Sequence, residues 1–467
     1  MIDTQITEPE GSSVNGTTES IRRPAALRRL RVRDFRRIES IDVEFPVDCQ
    51  VVCFVGPNGS GKSSLLSILV DSLCQLTSES RIDSTSPGSG VHRTTIASEI
   101  RPTATASLIA SDWNFDGEEF SHRLVVKRSQ ERRDPALLFP DVSNLNGSPF
   151  SQDQIGFGKW MPSSQFGDPI PQCILVYRPA DRYEVPAYEE PRDRTVSLAP
   201  QEFHSGRHAF PVRIRTWGDS LERFLSSLQL ETATGSHHAK FTLDKWNSIY
   251  QELTGSEFRT GLTSWPYPRI GPEYYPQMSS LSAGELDVLV TAAVILSQNL
   301  GLRTEFSDPT VICNGIVFID EVDAHLHPQW QQKVMPILTR HFPSITFVIT
   351  THSPFVLRSM EREKSRVVRL PDGYDFDTDF TAWQIDDILS AVFEVPALWS
   401  LEVSANLDRL RLLLKQEYQF SQALALFREL NARDSGGLRA ELRRLAALYA
   451  SDKFIDTITR GVTDANG

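Results

Sequence analysis

Cysteine is scarce, with five in 467 residues at positions 49, 53, 74, 173 and 313. None forms a Cys-x-x-Cys pair and the number is odd, which argues against a thiolate zinc site and a disulfide framework; free, mostly buried thiols are expected. Positive charge is also short. Forty-eight Lys and Arg face 60 Asp and Glu, a net charge of -12. A chain that coats nucleic acid through its overall field is basic, so a nucleic-acid contact here requires a local patch or a partner. No stretch approaches the ~18 consecutive apolar residues of a membrane span, and the N-terminus lacks a basic-then-apolar signal pattern. No membrane partner and a cytoplasmic location are therefore expected. No heptad pattern persists over many turns, which excludes a long coiled-coil arm. Apolar residues make up 40% of the chain and charged residues 23%, the composition of an ordinary globular protein. Residues 1–24, rich in Thr, Ser, Glu and Gly, read as a disordered leader.

Gly56-Pro-Asn-Gly-Ser-Gly-Lys-Ser63 follows the apolar run Val51–Val55 and precedes Ser64-Leu65-Leu66, the strand-to-helix setting of a phosphate loop. Glycines at 56, 59 and 61 let the backbone curl around an anion. Backbone N–H groups of Asn58, Gly59, Ser60, Gly61 and Ser64 and the helix N-terminus supply partial positive charge, Lys62 adds a full one, and the Ser63 hydroxyl can ligate Mg2+. Upstream, Leu30, Val32, Ile41, Val43 and Phe45 alternate with polar residues, which predicts two antiparallel strands joined through Asp34-Phe35-Arg36. The arginines of this hairpin form either a solvated face or a surface near the nucleotide base.

Downstream of the phosphate-loop helix come a Ser/Pro/Gly-rich loop over 77–90, strand patterns over 105–110 and 120–128, and an irregular stretch over 129–167. A short buried strand, 174–177, ends in Arg178-Pro179-Ala180-Asp181-Arg182. Residues 219–230 and 240–253 carry helical apolar stripes that read as lobe core. Leu281-Ser282-Ala283-Gly284-Glu285 then opens a strongly apolar helix. Ser282 and Gly284 suit either an ordinary helix cap or a phosphate contact. Gly315–Ile319 is a buried strand ending in Asp320 and Glu321, where Asp320 can hold Mg2+ through water and Glu321 can polarise an attacking water. A further strand, 345–350, ends at Thr351-His352-Ser353-Pro354, which places His352 on the same carboxyl edge of a parallel sheet.

In this order the phosphate loop, Leu-Ser-x-Gly-Glu, strand-Asp-Glu, Asp323 and strand-His resemble the ATP-binding-cassette (ABC) ATPases, in their RecF/SMC-like and OLD-like branch. Asp320-Glu-Val-Asp-Ala-His-Leu-His-Pro328 with Thr350-Thr-His-Ser-Pro354 is similar to the stand-alone ATPases of bacterial anti-phage systems such as Septu and certain retrons, in which the ATPase is paired with an HNH-type nuclease. The resemblance implies an α/β fold: an ABC-type head whose first lobe (25–130) and second lobe (276–371) share one nucleotide site, with an inserted lobe (131–275) and a helical C-terminal region (372–467). It also implies ATP and Mg2+ as cofactors and a homodimer or higher homo-oligomer. Lys62 and Ser63 would hold the triphosphate and Mg2+, Asp320 would complete the metal shell, Glu321 would be the catalytic base and His352 would contact the γ-phosphate. Ser282 and Gly284 would reach across from a second copy, with Asp323 at the boundary. The family's Mg2+-ligating Gln has two candidates, Gln154 and Gln172.

Two other readings arise from the same motifs. OLD-type proteins carry their own metal-dependent nuclease, and Asp375-Phe376-Asp377 has the required Asp-x-Asp spacing, but Glu361 and Glu363 stand too close upstream for the intervening sheet. A RecF-type repair ATPase would bind DNA through basic stretches such as Lys127-Arg128 with Arg132-Arg133, or 207–215. His325 and His327, at i, i+2 beside Pro328, diverge too far for a metal pair and belong to the segment after Glu321.

Overall fold

A computed structural model describes residues 25–76, 97–142, 173–180, 214–255, 281–302, 308, 310–395, 400–415, 419–433, 436–451, 453–455 and 457–458. The leader (1–24), the loop at 77–90, positions 143–167, the basic stretch 207–213, and both Gln154 and Gln172 lie outside these residues. The chain divides into two units, Met1–Trp383 and Gln384–Gly467.

In the first unit the order is β1 (Ala25–Phe35), β2 (Ile38–Glu44), β3 (Val51–Val55), α1 (Lys62–Leu76), β4 (Ala106–Phe115), β5 (Glu118–Lys127), α2 (Pro135–Leu138), β6 (Ile174–Arg178), α3 (Ile214–Ala233), α4 (His237–Thr254) and α5 (Ala283–Gly301). Next come β7 (Gly315–Ile319), α6 (Pro328–Gln331), α7 (Val334–His341), β8 (Ile345–Thr350), α8 (Pro354–Arg358), β9 (Ser365–Arg369) and β10 (Tyr374–Phe376). β2-β1-β4-β5 form an antiparallel sheet, and β10-β9-β3-β8-β7-β6 form a second sheet that is parallel except for β10. Strands β3, β6, β7 and β8 are buried at every position, as expected of parallel strands covered on both faces, so they read as continuous apolar runs. The phosphate-loop strand β3 lies between β8 and β9. Segments some 300 residues apart in sequence thus form one sheet, the split-lobe α/β head anticipated from the motifs.

The β1–β2 turn falls at Arg36-Arg37, overlapping the expected Asp34-Phe35-Arg36 at Arg36 alone, because Phe35 already pairs with Ile38. The two sheets meet through Trp113 and Phe318, whose rings stand edge to face at 6.3 Å, and through a bond from Thr346 Oγ1 to the Ala25 carbonyl (2.7 Å). Helices α3 and α4 pack on α5 through Leu221, Leu225, Trp246, Ile249 and Tyr250, all at most 1% exposed. Those stripes are core, each such side chain contributing about 1.5–3 kcal/mol on burial. Among the described residues α5 is long and apolar enough to cross a membrane, but 78% of its most apolar window is buried inside the protein. Of the described cysteines, Cys49, Cys53 and Cys173 are buried and Cys313 is partly exposed.

The helical region begins later than expected. Tyr374–Phe376 adds an antiparallel strand beside β9, which keeps residues through Trp383 in the first unit. The second unit contains α9 (Ile385–Ala391), α10 (Leu401–Leu414), α11 (Phe420–Asn431) and α12 (Gly436–Tyr449). The last three share their own core, in which Leu410, Leu430 and Leu442 are fully buried.

Candidate functional site

The phosphate loop turns between β3 and α1 on three glycines with positive φ: 138° at Gly56, 76° at Gly59 and 102° at Gly61. At Gly56 a β-carbon would lie 2.2 Å from the Leu370 carbonyl oxygen, so backbone presses on backbone and only glycine fits. Asn58, Gly59 and Ser63 are exposed, whereas Ser60, Lys62 and Ser64 are buried. The Lys62 ammonium donates to the carbonyls of Gly56 (2.9 Å) and Pro57 (3.1 Å). Burial pulls its pKa below the usual lysine value, opposed by the negative fields of Asp320, Glu321 and Asp323.

Those three carboxylates stand at the end of β7. Asp320 is 2% exposed, and Thr350, last residue of the neighbouring strand β8, donates its hydroxyl to Asp320 Oδ1 at 2.5 Å. The hydroxyl oxygen of Thr350 in turn accepts the Glu321 backbone N–H at 2.7 Å. Glu321 takes a left-handed backbone, φ 49°, a conformation that non-glycine residues hold only when their surroundings over-determine it. Asp323 Oδ1 accepts from Thr351 Oγ1 (2.5 Å) and from the His352 backbone N–H (3.2 Å). His352 is half-buried. Burial, and then the positive field of Lys62, push its pKa below the ordinary histidine value, against Asp323 and Asp320. The ring is therefore neutral at pH 7 and can donate or accept one hydrogen bond.

Lys62, Asp320, Glu321, Asp323 and His352, read from three separate stretches, thus converge on one sheet edge. Ser282 and Gly284 are placed differently. Ser282 is exposed and caps α5: its Oγ accepts from the Glu285 N–H (3.3 Å) and donates to the Glu285 carboxylate (2.8 Å), which also accepts the Ser282 N–H (2.9 Å). Gly284 is buried against the loop that succeeds Glu321, where a β-carbon would meet the His325 carbonyl oxygen at 2.7 Å. Among the described residues no hydrogen bond joins either one to the phosphate loop of its own chain.

The hairpin arginines split into two groups. Arg29 pairs with Asp42 (2.8 Å) and Glu44 (3.0 Å), Arg33 with Asp141 (2.6 Å) and Arg36 with Glu99 (2.7 Å), while Arg31 is buried beside Asp112. Arg37 instead lays its guanidinium against the phosphate loop, 3.6 Å from where a Gly59 β-carbon would stand. The basic stretch after β5 is tied into its own fold: Arg128 donates to the carbonyls of Ile100, Arg101 and Ala104, and Arg133 pairs with Glu131. Asp377 of the Asp-x-Asp stretch accepts from Arg362 (3.2 Å) and Arg366 (2.5 Å). His325 and His327 are exposed, and His327 caps α6; among the described residues no cluster of three metal-ligating side chains occurs. Thr350, Arg37 and a buried Arg178–Asp287 pair were not singled out from the sequence. The only signal for that pair was an aspartate within a strongly apolar stretch of α5.

Residues 29–142 match the family described as "AAA domain", and residues 195–358 match "AAA domain, putative AbiEii toxin, Type IV TA system". Segments of the chain are similar to probable ATPases of retron systems. The chain is 42% identical to the Retron Ec83 probable ATPase of Escherichia coli over 122 residues, 25% of this chain and 22% of that one. It is also 32% identical to the Septu protein PtuA of Bacillus mycoides over 117 residues, 22% of this chain and 16% of that one. The matched segments therefore span about a fifth of these relatives' own length. Among solved structures, an SMC head bound to the C-winged helix domain of ScpA aligns over 75% of this chain and 96% of its own, with 16% identity and a TM-score of 0.40. The strand order is that of a mixed α/β fold, and the two AAA-domain matches contain the phosphate-loop segment and the Asp320-Glu321 segment respectively.

Proposed function

We propose that this protein binds and hydrolyses ATP in a composite site closed by a second copy of the chain, and that the cycle regulates a separate nuclease effector in anti-phage defence. The carrying observation is the convergence of Lys62, Asp320, Glu321 and His352 on one edge, with Lys62 buried within the field of three carboxylates. The loop suits a triphosphate: Gly56 admits no side chain, and the buried Ser60 Oγ has no hydrogen-bond partner. The Lys62 ammonium would leave its loop carbonyls and donate instead to the β- and γ-phosphate oxygens. Ser63 Oγ and Asp320 would hold Mg2+, which would supply neutralising charge when bound. Glu321 would take the proton of the attacking water. Neutral His352 would hold the γ-phosphate, and Arg37 would meet the nucleotide from the hairpin side. The exposed Ser282 and the α5 N-terminus would face the partner copy's triphosphate.

The retron and Septu relatives support the defence reading, and the engagement of Asp377 by two arginines favours a separate effector over an intrinsic nuclease. Two substitutions test the site. Glu321→Gln should lower steady-state ATP hydrolysis at least ~100-fold while retaining nucleotide, because general-base removal commonly costs ~100- to 10,000-fold. Lys62→Ala should abolish binding itself. Undiminished hydrolysis in the first, or unchanged affinity in the second, removes the assignment.

A further inference from the structure

Arg178 ends β6 alongside Ile319 of β7 and is fully buried. Its carbonyl accepts the Asp320 N–H at 2.9 Å, and its guanidinium forms an ion pair with Asp287. Asp287 is 4% exposed and lies five residues beyond Ser282, in a stretch from Leu286 to Leu296 whose only other polar residue is Thr291. Replacing such a buried pair with apolar side chains is often neutral or stabilising, so its best-attested use is to fix register. Gly284 and Asp287 are three residues apart and share a helix face. Gly284 seats that face on the loop after Glu321, and Asp287 seats it on the strand beside Asp320. The first two turns of α5 are therefore held at two points, both leading to the carboxylates, while Ser282 stays exposed.

We propose that Arg178 and Asp287 are positioning residues: their ion pair locks the N-terminus of α5 to the carboxylate edge of its own copy, so that Ser282 is presented correctly to the nucleotide held by the other copy. The proposal rests on the composite-site reading above. Its consequence is directional. A copy lacking the pair retains a competent phosphate loop and edge but is a poor donor of Ser282.

Mixing experiments on the full chain test this. The neutral pair Arg178→Met with Asp287→Leu avoids a lone buried charge. It should bind ATP within about threefold of the parent yet hydrolyse at least tenfold more slowly. Mixed 1:1 with Lys62→Ala, which has an intact α5 but no usable phosphate loop, it should regain up to about a quarter of parental hydrolysis, because half the dimers are mixed and each of those contains one complete site of two. Parental hydrolysis by the folded neutral pair overturns the proposal. So does a loss that mixing fails to restore while Ser282→Ala mixed with Lys62→Ala does complement. If that control pair also fails, the composite-site reading itself falls. Asp287→Glu keeps the charge and lengthens the arm, and it decides the matter should the neutral pair not melt cooperatively: reduced hydrolysis rescued by Lys62→Ala is expected, and an undiminished rate refutes the positioning role.

Discussion

Thr350 gives the most exacting test of the site, because one hydroxyl serves both carboxylates at the end of β7. Its Oγ1 donates to Asp320 at 2.5 Å and accepts the Glu321 N–H at 2.7 Å. Thr350→Val keeps the volume and the β-branch but removes both bonds. A hydrogen bond to a charged group is worth about 1.5–3 kcal/mol, and an orphaned buried N–H costs about 1–3 kcal/mol. Because the two losses share one atom and are not additive, about 3 kcal/mol of destabilisation is expected. The effect on the rate should be of similar size, since ~100-fold corresponds to about 2.7 kcal/mol. Glu321 holds a strained backbone that this N–H bond helps to fix, and a displacement of ~1 Å at a reacting group can cost ~100-fold. Denaturant melts, fluorescent-nucleotide titration and phosphate release, measured together, should show reduced stability, ATP affinity within about threefold and hydrolysis down about 100-fold. Thr350→Ser restores the hydroxyl and should return hydrolysis to within about threefold of the parent. A valine variant at the parental rate, or a serine variant as impaired as valine, would refute the account.

Gly56→Ala should destabilise by at least about 2 kcal/mol and weaken nucleotide binding tenfold or more, since its β-carbon meets the Leu370 carbonyl; unchanged melts and titrations would count against the backbone contact. His122, on β5, is 1% exposed, and burial, with Arg123 beside it, lowers its pKa from 6.5 to about 3. A depressed value means that the unfolded chain takes the proton first. The stabilisation is therefore complete above pH 6.5 and declines as pH falls toward 3. Between pH 6.5 and 5 about 2 kcal/mol should be lost at 1.36 kcal/mol per unit, and His122→Gln should flatten that slope in pH-dependent melts; an identical slope would exclude this histidine as the cause.

The motifs were legible because each couples a fixed spacing to a change of period. Apolar Val51–Val55 and Gly315–Ile319 could only be covered parallel strands, and the phosphate loop and the Asp320-Glu321 pair stand at their carboxyl ends. Three things were hidden. Partners fixed by tertiary packing leave no local pattern, so the hairpin arginines read as a uniform charge run although Arg29, Arg33 and Arg36 are paired and Arg37 faces Gly59. Thr350 looked like an ordinary β-branched strand residue, since its double role depends on the register of β8 beside β7. The three-residue strand β10 was concealed by its acidic turn residues, because an antiparallel edge strand needs only one buried side chain, here Phe376.

The position of β3 between β8 and β9 bears on how the protein is made. When Val51–Val55 emerges during synthesis, neither neighbour exists, and both arrive only after about 300 further residues. At ~5–20 residues per second the nascent strand spends roughly 15–60 s with bare hydrogen-bonding edges. Any truncation ahead of β8 leaves it permanently in that condition, open to pairing with another chain. The amino-terminal third alone should aggregate rather than capture nucleotide, and co-expression with the remainder should rescue it as a split protein.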